Sequence, residues 1–550
     1  MMRKLWRGTI ACGLVTLALF ATGIAQGDEA GATRCHRGAR ITHIEVQRVN
    51  VFDLAQTTRR SWAYRLLNAV HHPMLTRERT VRSLLIVKEG ERCNEELIEE
   101  AERELRKLPF LQDAWVEVLP GNETGDEVIV RVRVQDGWST RFGASYGNEG
   151  GASRFKVRVA EINLFGTGTR LEWLHRTNQD RSERTLRLTD PSLFGSHWQG
   201  AMSYSNNSDG RETGLRVTRP QWSLAERWST ELSFLEALGE EKVYRGAEVA
   251  ERWIRDSTAA ELSYLRSPKG YRNTRLFTWR AGLVMDRQNW ILKDPGTQVV
   301  HPELRPFDRD LMLASAELRW RRVDIRRAHY LDTGLRVEDL DLGRTLAIGL
   351  AISLPGISPE KGARFHLDWR RGFSVGEGAF YRLFARHEME TLRGTFVNVV
   401  TSLGAEYYRK ITPSQTFVVK LSAARGDQLE GTRRFLLGGD TGLRGYRSRS
   451  FSGSRQLLLN IEQRYFTRWK LGRFLGVAFA LFGDMGGAWD EGVPLSADLI
   501  HADLGVGLRL LLLPSGSGTT FHLNLAYALD PGADPEGRHW RFSLLTKRGF

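Results

Sequence analysis

Apolar positions follow two different periods along this chain, and the change between them divides it. Near the N-terminus Ile41, Ile44 and Val46 open a short strand, and apolar residues then recur at helical spacing over residues 57–70 and 77–85. The next helix is the most fully specified. Asn94 stands at its N-cap, Glu95 and Glu96 fill the first turn, and Leu97, Ala101, Leu105 and Leu108 form one face. Arg106 and Lys107 close it beside the negative end of the helix dipole, and Pro109 stops it. Residues 114–119 and 127–134 alternate as strands around the turn-forming run Pro120-Gly121-Asn122-Glu123-Thr124-Gly125. The order strand, helices, strand, strand predicts a small α+β domain over residues 41–136.

Beyond Asp136 the pattern is alternation, broken by turns such as Gly147-Asn148-Glu149-Gly150 and Asn206-Asn207-Ser208-Asp209-Gly210, and it persists to the end. No helix is predicted in residues 137–550. Phe521, Leu523, Leu525, Tyr527 and Leu529 share one face, opposite His522, Asn524, Ala526 and Ala528. Leu457, Leu459 and Ile461 alternate with Asn460, Glu462 and Arg464, and Leu475, Val477, Phe479 and Leu481 alternate with a face that ends in Phe482 and Asp484. An apolar face opposite one carrying Glu, Arg and Asp fits lipid outside and water inside, whereas a soluble sandwich buries its apolar face and exposes its charge. The last strand, with Trp540, Phe542, Leu544, Thr546 and Phe550 on one face, ends in an aromatic. Closure would remove the edges of so long a sheet. The chain is therefore expected to be mainly β, with a C-terminal transmembrane antiparallel β-barrel.

Composition narrows this reading. With 41% hydrophobic and 26% charged residues in 550, the chain can build a core and is not a disordered one. Its net charge of +14 would suit nucleic acid or an anionic membrane surface. The N-terminus supplies a compartment. Arg3, Lys4 and Arg7 precede an apolar stretch over 9–24 and the small-residue site Gly23-Ile24-Ala25, which predicts a signal peptide over residues 1–25. The alternative, a membrane anchor, is disfavoured by the short run and the lack of a stop-transfer charge cluster. No other stretch is apolar and long enough for a spanning helix, which excludes a polytopic helical membrane protein. Export and a water-filled lumen then explain the arginines without nucleic acid. Cys12 would leave with the signal. Cys35 and Cys93 would enter an oxidising space, either as one disulfide or as two free thiols.

Several motifs resemble the BamA/TamA superfamily of outer-membrane assembly and translocation proteins. Residues 41–136 resemble one periplasmic POTRA domain, with Gly90, the helix ending at Leu108, and Phe110-Leu111-Gln112-Asp113-Ala114 at the expected places. Asn163-Leu164-Phe165-Gly166-Thr167-Gly168 and Asp190-Pro191-Ser192-Leu193-Phe194-Gly195 resemble the first periplasmic turns. Gly438-Gly439-Asp440-Thr441-Gly442-Leu443-Arg444-Gly445-Tyr446 is similar to the motif of the long sixth extracellular loop, which folds back into the barrel. Phe482-Gly483-Asp484-Met485-Gly486 is similar to the inner-wall motif two strands later. The resemblance implies a short linker over residues 26–40, the POTRA domain over 41–136, and an outer-membrane barrel over 137–550. It implies 16 strands, while a direct count with loop parity allows up to about 20.

The candidate site follows from residue types. Arg444 on an in-folded loop needs an anionic partner in a partly desolvated lumen, and Glu462 and Asp484 both lie on the inward face. Gly442, Leu443, Arg444, Gly445 and Tyr446 would form the loop lock, with Glu462, Phe482, Asp484 and Gly486 as its inner-wall partners. The alternative is a solvated loop tip. Phe550 would be the C-terminal barrel signal. A seam between a first strand at 138–148 and a last at 538–550 would be weakened by Gly143 and Gly147.

Catalytic patterns are weaker. Gly372-Phe373-Ser374-Val375-Gly376 matches a nucleophile elbow, which requires a helix after the turn, but strand-like sequence lies on both sides. The glycines at 439, 442 and 445 lack the strand-to-helix context of a dinucleotide site, and His387-Glu388 and His71-His72 lack metal-site spacing. No enzyme, cofactor or metal is expected. The expected function is accessory outer-membrane protein assembly, in which the POTRA domain receives unfolded clients and the seam admits them to the membrane. Alternatives are a secretion translocon of the two-partner type and a lipid-handling or passive channel. Expected partners are unfolded outer-membrane or secreted polypeptides, outer-membrane lipids, and periplasmic chaperones or lipoproteins.

Overall fold

The structure is a computed structural model that describes residues 35, 38–49, 75–137, 139–222, 226–268, 275–294, 301–302, 305–331, 337–376, 378–471, 475–512, 520–530 and 537–547. The expected signal peptide, the helix over 57–70, Trp138 and Phe550 lie outside the described residues.

The first unit comprises β1 (Arg40–Val49), α1 (Glu78–Leu84), α2 (Glu95–Arg106), β2 (Leu111–Pro120) and β3 (Glu127–Asp136). Its sheet runs in the order β1-β3-β2, with β1 parallel and β2 antiparallel to the central β3. Alternation along β3 turns Val128, Val130, Val132 and Val134 inward, where they join a core with Leu84, Leu85, Ile98, Ala101 and Leu105. The α2 cap forms as its sequence suggests. Asn94 Oδ1 accepts from the backbone N–H of Glu96 at 2.9 Å and of Leu97 at 3.4 Å. Cys35 and Cys93 are joined as a disulfide, which ties the residues before β1 to the entry of α2.

A closed barrel of twenty strands follows, each paired with its sequence neighbours along the wall. The 16 strands implied by the resemblance are therefore corrected to 20. The seventh wall strand is Trp228–Arg245, five strands follow the long loop, and eight fold between them where 16 would require four.

Burial is inverted relative to a soluble sheet. Ile461, Leu481, Leu504 and Leu525 are exposed on the outside, while Glu462, Asp484, Asp503 and Asn524 are buried. This is the pattern of a membrane-spanning barrel, whose outer face meets lipid. The small unit docks beneath the first turns at one end of the barrel, here called the proximal end. Thr76 N–H donates to Asp136 Oδ2 at 2.7 Å, Asn163 Nδ2 donates to Thr76 Oγ1 at 2.9 Å, and Arg77 N–H donates to the Gly166 carbonyl at 2.7 Å. Ile162 and Trp222 of the barrel join the core of the small unit.

Candidate functional site

Residues 428–454 connect the wall strands Gln415–Asp427 and Arg455–Leu471 at the opposite, distal end. The loop packs onto the polar face of the wall. Leu443 and Tyr446 are buried with Leu437, Leu458 and Ala528. Glycine is required at two positions. Gly442 has φ 131° and lies so close to the wall that a Cβ would fall 2.5 Å from Leu458 Cδ2. A Cβ at Gly445 would fall 2.6 Å from Asp503 Cβ, and the Gly445 N–H donates to Asp503 Oδ2 at 2.9 Å.

That approach places Arg444 between two carboxylates. Its Nε and Nη2 donate to the two oxygens of Asp484 at 2.7 and 2.8 Å, a bidentate pair, and its Nη1 donates to Glu462 Oε2 at 2.8 Å. The guanidinium carbon lies 3.5 Å from the Phe482 ring centroid. Gly486 pairs with Leu458 two residues along the same strand from Asp484, where a side chain would meet the Leu457 carbonyl at 2.4 Å. Tyr446 Oη donates to the Ala502 carbonyl at 2.9 Å. The side chain of Asp484 is fully buried, so its charge depends on these donors and on Asn460 Nδ2 at 2.7 Å. The structure thus brings together Arg444, Glu462, Phe482 and Asp484.

Further attachments had no signal in the sequence. Glu430, at the start of the loop, accepts from Arg309 Nη2 at 2.6 Å and Asn398 Nδ2 at 2.6 Å. Arg309 also bonds Glu390 at 3.2 Å, so two buried carboxylates share one buried guanidinium. On the other side Arg449 donates to both oxygens of Asp180 at 2.9 and 2.6 Å, Tyr244 Oη donates to Asp180 at 2.6 Å, and Ser448 N–H donates to the Gly150 carbonyl at 2.8 Å. These partners lie 121 and 269 residues apart in sequence, beyond any spacing argument.

Asp180 sits in the distal turn between the strands Thr169–Thr177 and Ser182–Asp190. Burial opposes its ionisation, but the hydrogen bonds from Arg449 and Tyr244 outweigh burial and hold its pKa down at about 2. A depressed pKa means that the contact contributes fully above the ordinary carboxylate value and is lost as pH falls toward 2. Amide protection around Arg449, measured relative to intrinsic exchange at each pH, is therefore expected to fall as pH drops from about 4 to 2. Asp180→Asn should show the lower protection even near neutral pH. Equal exchange in the variant and the wild type at neutral pH would mean the contact does not hold the loop.

The seam closes the ring. Among the described residues, the first wall strand, Thr140–Glu149, and the last, Trp540–Lys547, share one register pair, Leu544↔Asn148, with Thr546 Oγ1 donating to the Tyr146 carbonyl at 3.1 Å. By contrast, Thr520–Ala528 pairs with the last strand from Thr520↔Lys547 to Tyr527↔Trp540. Gly143 and Gly147 both lie on the first wall strand. A cavity of about 350 Å³ lies beside it, lined in part by Tyr146, Gly147, Arg154, Lys156, Arg449 and Thr546. Ser374 of the hydrolase-like pentapeptide ends the strand Gly362–Ser374, and the strand Ala379–Leu392 follows, so a hairpin stands where an elbow needs a helix.

No family model matches the sequence, and no curated protein matches it. Among solved structures, BamA from Haemophilus ducreyi lacking POTRA domains 1–3 is 13% identical, over 92% of this chain and 84% of that one, with a TM-score of 0.44. CdiB from Escherichia coli is 15% identical over 92% of this chain and 76% of that one, with a TM-score of 0.43. CdiB from Acinetobacter baumannii is 11% identical over 92% and 74%, with a TM-score of 0.43.

Proposed function

We propose that this chain is an accessory outer-membrane protein assembly factor of the BamA/TamA kind, acting without catalysis, with a POTRA domain over residues 41–136 and a barrel over 137–550. The observation that carries this reading is the seam. Among the described residues this joint carries one register pair, and a joint so lightly paired can give way to an incoming client strand that pairs with the same edge. The fastened distal loop supports the reading by holding the wall beside the seam, since Asp440 bonds Arg154 at 3.2 Å on the second strand and Arg449 bonds Asp180. Unfolded outer-membrane polypeptides are the proposed clients, and outer-membrane lipids, chaperones or lipoproteins the accessory partners.

Client reception by the POTRA sheet has a condition. The outer edge of β1 is partly covered, with Ile41 N–H donating to the Glu91 carbonyl and Ile44 N–H to Glu89 Oε1, both at 2.9 Å. On β2, Val116 N–H donates to Glu102 Oε2 and the Ala114 carbonyl accepts from Arg106 Nε, again at 2.9 Å. A client strand that adds to β2 must displace these two α2 side chains.

Depletion followed by outer-membrane proteomics tests the function. Loss of several barrel proteins from the membrane is the expected result. Loss of one secreted protein with an intact membrane proteome would replace assembly with secretion, and conductance without either loss would replace it with a passive channel.

A further inference from the structure

A second segment enters the barrel, from the proximal end. Residues 323–343 join the wall strands Arg309–Arg322 and Arg344–Ser353, which pair directly at Arg322↔Arg344. A tight turn would suffice there. Instead the chain makes a hairpin of its own, Ile325–His329 against Val337–Asp341, and lays it on the wall.

Register fixes which face it covers. Tyr408 pairs with Val418, Val418 with Glu462, and Thr416 with Arg464, so these residues share the inward face that also receives Arg444. Ala328, Leu331, Leu340 and Leu342 form one buried cluster with Tyr408 and Val418. The Tyr330 ring lies 5.4 Å from that of Phe466, and its carbonyl accepts from Thr416 Oγ1 at 2.5 Å and Lys410 Nζ at 3.4 Å. Tyr330 has φ 58°, a left-handed conformation that an aromatic residue keeps only where its surroundings impose it.

Arg464 links this hairpin to the distal loop. It donates to the Leu331 carbonyl at 2.5 Å and to Glu462 Oε1 at 2.9 Å, while Glu462 Oε2 accepts from Arg444 of the loop. Segments entering from opposite mouths thus converge on one carboxylate in mid-wall. We infer that residues 324–331 and 340–342 form a proximal plug, that Arg464 is a positioning residue for both inward segments, and that the resting lumen is closed to solutes. This inference rests on the membrane-barrel reading and deepens it. A client threading the lumen would have to displace both segments, whereas a client entering at the seam leaves both in place, which favours insertion over secretion.

The test uses the full chain in planar lipid bilayers. Tyr330→Ala/Thr416→Val/Arg464→Ala is expected to raise single-channel conductance by about threefold or more over the wild type. Arg464→Ala alone should make both the hairpin and the distal loop accessible to protease, a paired effect that loosening of either segment alone does not produce. Shortening residues 324–342 to Asn-Gly provides a second variant in case the triple substitution impairs folding, and should show the same rise. If either variant inserts as a heat-modifiable barrel and conducts like the wild type, the plug is wrong. Wild-type protein that never inserts into bilayers would overturn the membrane-barrel reading, and the plug with it.

Discussion

Arg444→Ala should release the distal loop and cost the barrel about 3–5 kcal/mol, the range for removing one partner of a buried ion pair. The size follows from what remains. Asp484 would keep a fully buried carboxylate with Asn460 as a side-chain donor, and Glu462 would lose its loop partner. Arg444→Lys should fall between the two, because an ammonium cannot reproduce the bidentate contact or the stacking on Phe482. The readouts are the temperature at which the heat-modifiable barrel unfolds and the rate of proteolysis within residues 438–450. Adding Asp484→Asn to Arg444→Ala should cost less than the sum of the two single changes, since each removes the same contact. Strict additivity, with the loop as protease-resistant as in the wild type, would show that Arg444 does not lock it.

Crosslinking the seam should stop client insertion while leaving the barrel folded. Asn148→Cys/Leu544→Cys uses the register pair that joins the first and last strands among the described residues. The energetic contrast with the adjacent joint is the reason this edge is the one proposed to open. The last strand shares eight register pairs with its other neighbour, and at about 0.5–1.5 kcal/mol per hydrogen bond that ladder is worth roughly 4–12 kcal/mol. The one seam pair among the described residues is worth about an eighth of that. Insertion of a model barrel client into proteoliposomes should cease on oxidation and return on mild reduction. Each single-cysteine variant controls for reduction of Cys35–Cys93. Undiminished insertion by the fully crosslinked protein would sink seam gating, and leakage without insertion in the reduced form would point to a channel.

The parts legible in the sequence were those governed by local rules. Alternation in residues 521–529 separated Leu525 from Asn524, and the structure exposes the first and buries the second. The same alternation put Glu462 and Asp484 on the inward face, and they lie beside Arg444. The cap at Asn94 was legible because its partners are two and three residues away. The direct count of up to about 20 strands was borne out, whereas the 16 implied by the resemblance was not. The eight strands between Trp228–Arg245 and the long loop carry an ordinary alternating pattern, and nothing local says how many belong to one wall.

By itself, the sequence determined the element types, the two faces of each strand and the charges assigned to the lumen, because period and polarity act over a few residues. Only the tertiary structure decided that the ring closes where Asn148 meets Leu544, that Glu430 and Arg449 bind opposite sides of the wall, and that residues 324–331 and 340–342 turn inward to meet the wall beside Arg464. Those outcomes depend on partners brought together across long stretches of chain, where closure entropy and packing, rather than spacing, select the contact.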